Sequence, residues 1–364
     1  MSQPHPTPRT PEFDYPRKVL FIAGAGRSGT STLAGIVQLL GLHVPQPEVQ
    51  PDESNPKGFG EPQWVVDFHE RLLGEAGVTI NDSRPSAWFE TGRIATREPA
   101  RIRASEWLDG HFADHTELVV KDPRLSWFLG LWRIAALRSE ATPVFAAMLR
   151  PPAEVVGSKQ KYYKNRLGSA HLTASWLNML LHTERATRDA AEDGSRAFVR
   201  YGDLLDDWVK VTMQLGEQLG LQHILHVDSE QIRDGHRFID PSLRRIGLTL
   251  ADLDLPPRLH ALTEQTWTEL NRLAEPGGDT PEVHTTLDEL REEYVGVYEE
   301  AEAISKSSVV AVQNEMKRRL AQRPPGPAAV DEGRGVVDRI PHGVRAAIPP
   351  GLRRGLRRAL GRSR

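Results

Sequence analysis

Four short apolar stretches punctuate the chain: Val19–Ala23, a segment running from Glu117 to Lys121, Pro143–Leu149, and one that starts at Ala197. Each is rich in β-formers and nearly continuous in hydrophobicity, the pattern of strands buried on both faces of a parallel sheet. Between them the apolar positions return at helical spacing. Leu33, Ile36, Val37 and Leu40 form one such set, with Gly41 as the stop. Trp64, Val65, Phe68, Leu72 and Leu73 form a second, and the apolar run from Trp127 to Leu137 a third. Residues 159–193 carry Trp176, Leu177, Met179, Leu180 and Leu181, and Trp208, Val211, Leu215 and Leu219 follow. Strands alternating with helices predict an α/β domain, a central parallel sheet flanked by helices. Residues 78–116 are mixed and polar, and read as loops with one or two helices. Residues 256–275 and 281–321 read as a helical C-terminal extension, the second with Val295, Tyr298, Ala301 and Ile304 on one face.

The first strand runs into Gly24-Ala25-Gly26-Arg27-Ser28-Gly29-Thr30-Ser31 and then a helix. Strand, glycine-rich turn and helix make a phosphate cradle, because glycines admit the anion to the backbone and the first N–H groups of the helix point at it. The fold expected is therefore P-loop NTPase-like, in three layers. A nucleoside-triphosphate loop needs Lys after the last glycine, to reach the β- and γ-phosphates. Thr30 stands there instead, and the cation is Arg27, inside the loop. This argues against an ATPase or kinase and for a phosphate-bearing donor handled without a metal ion.

Composition narrows the field further. The chain has 364 residues, a net charge of −3 and no cysteine. That balance gives no global case for nucleic-acid binding, and the missing cysteine excludes disulfides and thiolate chemistry. No apolar run reaches the roughly 18 residues that span a bilayer. Residues 1–16 are proline-rich and polar, read as a disordered lead without a signal peptide's apolar core. A cytoplasmic setting fits.

The loop G-x-G-R-S-G-T-S after a strand resembles the 5′-phosphosulfate loop of sulfotransferases that use 3′-phosphoadenosine 5′-phosphosulfate (PAPS). Three further stretches carry the resemblance, which extends over roughly residues 18–250. Asn55-Pro56-Lys57-Gly58-Phe59-Gly60-Glu61 is similar to the N-P-x-G-[FY]-x-E element of bacterial members. It implies Glu61 as the general base that takes the acceptor's proton; a carboxylate at the start of the next helix is the alternative. His69 is a second candidate base. Lys121 matches the lysine of the K-T-H strand end and is implied as the stabiliser of the sulfuryl oxygens, but Asp122-Pro123 replaces Thr-His and removes the usual histidine. Arg150 and Ser158, spaced Arg-x₇-Ser across a strand–helix junction, resemble the 3′-phosphate element, in which a guanidinium fork suits phosphate. Tyr201 in Tyr-Gly-Asp-Leu resembles the adenine-contacting tyrosine, and Arg244 or Arg245 a basic residue closing over the 3′-phosphate. Lys159, Lys161, Tyr162, Tyr163 and Lys164 either line the donor pocket or form a solvated face.

The resemblance implies transfer of a sulfuryl group from PAPS to an acceptor hydroxyl on a carbohydrate, lipid-linked glycan or small natural product, leaving 3′-phosphoadenosine 5′-phosphate (PAP). Gly26, Arg27, Ser28, Gly29, Thr30 and Ser31 hold the 5′ end. Arg27 and Lys121 neutralise charge developing in the transition state, with no metal. The alternatives are an atypical P-loop kinase using ATP and Mg²⁺, and a non-catalytic nucleotide-binding scaffold. The expected division is a catalytic domain over 17–255, a helical extension over 256–322, and a linker and tail over 323–364. The long helix suits a surface helix or a homodimer contact. The tail from Asp331 carries nine Arg against three acids, with Ile340, Val344, Ile348, Leu352, Leu356 and Leu360 interspersed. That pattern fits peripheral docking on an anionic membrane or a disordered basic tail.

Overall fold

The computed structural model describes residues 15–52, 55, 57–163, 167–191, 194–239 and 247–321. The chain divides into two compact units, Met1–Glu300 and Ala301–Arg364. In chain order the elements are β1 (Lys18–Ala23), α1 (Thr30–Leu39), α2 (Gln63–Ala76), α3 (Ala87–Ala95), α4 (Glu98–Phe112), β2 (Glu117–Lys121), α5 (Leu129–Arg138), β3 (Thr142–Leu149), α6 (Pro152–Tyr163) and α7 (Ser169–Thr187). Then come β4 (Arg196–Arg200), α8 (Tyr201–Asp206), α9 (Trp208–Leu219), α10 (Gln222–Leu225), α11 (Ser229–Phe238), α12 (Pro257–Leu273) and α13 (Pro281–Ala321).

The sheet is all parallel, in the order β2-β1-β3-β4. Alternation along each strand sends successive side chains to opposite faces. Leu20 registers with Val119 and Val144 on one face, and Phe21 with Val120 and Phe145 on the other. The first face is covered by Leu33, Ile36 and Val37 of α1 and by α8, α9 and α10. The second is covered by α2 to α5, α7, α12 and the first turns of α13. Because all strands are parallel, every connection crosses back over a face of the sheet. β1 lies between β2 and β3, so the chain leaves β1 first to one side and then to the other. That reversal is a topological switch point, and open α/β sheets take ligands at the strands' carboxyl ends beside such a point.

Two expectations need correcting. The compact unit does not stop at residue 255: Leu259, Leu262, Leu270 and Leu273 of α12 and Val283, Leu287, Leu290 and Tyr294 of α13 are buried in the main core. The buried face of α13 is thus offset from the stripe read from Val295 to Ile304. Arg196, itself buried, fixes this join. Its guanidinium donates to both carboxylate oxygens of Asp279 at 2.7 and 2.6 Å and to the Glu184 carbonyl at 3.0 Å. The 159–193 segment is also two helices rather than one, α6 and α7. In the second unit α13 continues, and the side chains of residues 301–319 are exposed. The tail from 322 and residues 240–246, with Arg244 and Arg245, lie outside the described residues, as do residues 1–14. Among the described residues no helix is long and apolar enough to cross a membrane.

If α13 belongs to the core, Leu287→Ala lowers unfolding stability by about 2–5 kcal/mol, measured by denaturant titration. A loss below about 1 kcal/mol would return α12 and α13 to the status of an appendage.

Candidate functional site

All four strands deliver a polar group at the same edge of the sheet. β1 delivers the loop 24–29, β2 delivers Lys121 and Asp122, β3 delivers Arg150, and β4 delivers Tyr201. The loop depends on unusual backbone angles. Gly24 has φ 144°, Gly29 has φ 96°, and Arg27, which is not glycine, has φ 75°. A side chain at Gly24 would strike the Met148 carbonyl, and one at Gly29 would strike the ring of Tyr201. The glycines are therefore required both for the turn and for close packing. Gly29 caps α1, so the first N–H groups of that helix face the loop. Ser28 is buried, and its Oγ has no hydrogen-bond partner among the described residues.

Arg27 reaches out of its left-handed backbone to α6. Its Nε donates to Ser158 Oγ at 3.1 Å, and its guanidinium lies 4.6 Å from the Tyr162 ring centroid. Arg150 holds the same residue from the other side, donating to the Arg27 carbonyl at 3.0 Å. Its Nε donates to Glu154 at 2.9 Å, and its guanidinium lies 4.7 Å from the centroid of Tyr201. The elements singled out as 5′ and 3′ phosphate binders, Arg27 and the pair Arg150 and Ser158, are thus one connected group. Tyr201 is buried between Gly29 and Arg150.

Lys121 is buried at the end of β2. Its ammonium donates to Ser31 Oγ at 2.9 Å, to the Phe59 carbonyl at 3.1 Å and to Glu61 Oε1 at 2.5 Å, which uses all three of its protons. Glu61 precedes α2 and is turned toward Lys121 rather than capping that helix. The lysine therefore links the glycine-rich loop and α1 to the carboxylate read as a base. Gly60, at φ 62°, packs on Ala34 of α1 and brings Glu61 to this point.

His69 is a different matter, and its reading as a base is corrected. Its exposure is 0%. The Trp132 indole donates to Nε2 at 2.7 Å, and Nδ1 lies 2.7 Å from Asp122 Oδ2. An indole N–H only donates, so Nε2 accepts and Nδ1 carries the proton given to Asp122. Both nitrogens are committed. Burial alone would raise the Asp122 carboxyl, but the hydrogen bond from His69 and the charge and hydrogen bonds of Arg124 hold it below the usual carboxylate range. Arg124 joins Asp122 at 2.9 Å and Glu70 at 2.7 Å. This chain fixes the turn that follows Lys121. It spans residues far apart in sequence, and a lone histidine in a helical stretch gave no sign of it.

Lys159 follows Ser158 on α6 and is 3% exposed. Its ammonium donates to Asn81 Oδ1 at 2.7 Å, and burial pushes its pKa down from 10.5 to about 8. Lys161 is exposed. Asn81, in the loop between α2 and α3, had no signal in the sequence beyond its place in a polar stretch. Among the described residues no group of His, Cys, Asp and Glu has the arrangement of a metal site.

No family model matches the sequence, and no curated protein matches it. Solved structures do resemble the chain. A sulfotransferase domain from the Synechococcus PCC 7002 olefin synthase is 17% identical, with a TM-score of 0.35, covering 66% of this chain and 92% of its own. A sulfotransferase domain from the curacin biosynthetic pathway is 17% identical at a TM-score of 0.35, covering 64% and 92%. The sulfotransferase STF1 from Mycobacterium tuberculosis H37Rv is 15% identical at a TM-score of 0.36, covering 68% and 76%.

His69→Phe leaves the Asp122 carboxylate buried without its main partner and lowers stability by about 3 kcal/mol. The sign with pH follows from linkage. Asp122 has a lower pKa folded than unfolded, so the contribution is complete above about pH 5 and drains away as pH falls through the folded value. Denaturant titrations of both proteins from pH 7 to pH 3 should give converging curves. Unchanged stability, with any loss confined to turnover, would restore His69 as a base.

Proposed function

We propose that this protein is a sulfotransferase that moves a sulfuryl group from PAPS to an acceptor hydroxyl. The observation that carries the reading is the joining of Arg27, Ser158 and Arg150 around one glycine-rich loop. A 5′-phosphosulfate and a 3′-phosphate are two anions on one nucleotide, and this group offers cations and donors to both. The residues fit the donor in a second way. Ser28 Oγ, buried and unpartnered among the described residues, has hydrogen-bonding capacity of the kind a phosphate oxygen satisfies. The absence of Lys at Thr30 weighs against a nucleoside triphosphate.

In this reading the amides of 26–31 hold the 5′ end, with the hydroxyls of Ser28, Thr30 and Ser31 close by. Arg150 and Ser158 take the 3′-phosphate, and Tyr201 backs both Arg150 and the loop. Glu61 accepts the acceptor hydroxyl's proton. The acceptor oxygen then bonds to sulfur as the bond from sulfur to the bridging oxygen breaks, and PAP leaves with that oxygen. Lys121 and Arg27 stabilise the negative charge that develops on the sulfuryl and bridging oxygens. Lys121 also orients Glu61, so a neutral replacement at 121 affects both stabilisation and proton removal. The acceptor's class, a carbohydrate, lipid-linked glycan or small natural product, is set by loops outside this group. Docking of the tail from Asp331 on an anionic membrane and pairing through α13 are further proposals consistent with the sequence.

Calorimetry with PAP in metal-free buffer, against ATP with Mg²⁺, tests the donor. Micromolar PAP binding that weakens about 10–100-fold in Arg150→Ala is expected. Tight ATP binding with no preference for the 3′-phosphate would favour a kinase. A second test separates an enzyme from a scaffold. Glu61→Gln should keep PAP binding and lose about 10²–10⁴-fold in sulfuryl transfer from labelled PAPS, whereas a silent substitution would remove Glu61 as the base.

A further inference from the structure

A buried ammonium with no negative partner is costly unless the protein keeps it for an anion. Lys159 is such a group. Among the described residues its only hydrogen bond is to the neutral oxygen of Asn81. The carboxylates on the elements around it are each committed elsewhere: Glu61 to Lys121, Asp122 to His69 and Arg124, Asp82 to Arg84, and Glu154 to Arg150. Other charged or titratable groups on those elements include Arg27 of the loop, Lys121 of β2, Lys161 and Tyr162 of α6, and His171, His182, Arg185 and Glu184 of α7, the last bound to Arg188. His171 bonds the Asn81 carbonyl at 3.1 Å. Lys159 also stands against the cradle itself. A β-carbon on Gly26 would lie 4.0 Å from Lys159 Cε and 3.7 Å from Pro123. The lysine therefore approaches the loop from α6, whereas Lys121 approaches it from β2.

Resting on the donor reading above, we infer that Lys159 is a binding residue for the anionic 5′ end of the donor. It is a second lysine on that group, held in line by Asn81 and His171. The charge on the nucleotide supplies the partner that the protein withholds. Its pKa of about 8 then has a consequence. An anion beside the ammonium favours the charged form, so at pH 9 donor binding draws a proton from solution.

The test uses the full chain and three probes: PAP, 5′-AMP and 3′-AMP. Calorimetry at pH 7 on wild type and Lys159→Met should give about tenfold or greater weakening for PAP and 5′-AMP, and less than twofold for 3′-AMP. At pH 9, titrations in two buffers of different ionisation enthalpy should register proton uptake on PAP binding by wild type and its loss in Lys159→Met. Met matches the lysine stem in length, and a melting curve at pH 7 no lower than wild type certifies the fold. The wild-type proton uptake needs no variant. Equal affinities in the two proteins with no uptake would overturn the role of Lys159 while Arg150-dependent PAP binding kept the donor reading intact. Wild type that bound neither PAP nor 5′-AMP would overturn the donor reading, and this inference with it.

Discussion

The site depends on one backbone constraint, the left-handed conformation of Arg27. For a residue with a β-carbon this costs about 1–3 kcal/mol and persists only where surroundings over-determine it. Here they do. Arg150 holds the carbonyl, Ser158 accepts from the guanidinium, and the Tyr162 ring covers it. The turn after β1 is thereby locked to the end of β3 and to α6. Gly29 is locked in turn by the Tyr201 ring, which also lies against Arg150. Three strand ends thus share one packed group, and the loop's N–H groups are held in place by the protein's own contacts.

Charge is distributed around that group with a clear logic. Lys121 and Arg150 each carry a carboxylate partner, Glu61 and Glu154, that tempers the cost of burial. Partner exchange from carboxylate to phosphate is the simplest way for such a cation to bind a nucleotide without a large change in solvation. Lys159 follows the opposite rule, because among the described residues its only hydrogen-bond partner is an amide oxygen. Behind these first groups stands a chain that is buried from Trp132 through His69 to Asp122 and reaches the surface through Arg124 and Glu70. It fixes the turn after Lys121 and so governs where the Lys121–Glu61 pair sits.

The strands and the loop were legible because their signals are local. A parallel strand is an apolar run, and a cradle is a few glycines between strand and helix. The pairings were not legible, because Lys121 and Glu61 lie 60 residues apart and His69 and Trp132 lie 63 apart. Motif resemblance singled out Lys121 and Glu61 separately but could not join them. For His69 the helical stretch gave only a position, while the contact with Trp132 decides its chemistry. A usable signal was present for Lys159. It lies four residues after Val155, on the buried face of α6, whereas Lys161 falls on the solvent side. The extent of the core is hidden in the sequence for a related reason. Two apolar stripes follow one another along α13, and only the first, from Val283 to Tyr294, is buried in the core.

The most direct test of the account is a crystal structure of the protein with PAP. The account predicts the 5′-phosphate against the amides of residues 26–31 and the 3′-phosphate on Ser158 and on an Arg150 guanidinium drawn from Glu154. A nucleotide bound elsewhere, or bound here with Arg150 still on Glu154 and the 3′-phosphate in solvent, would contradict it.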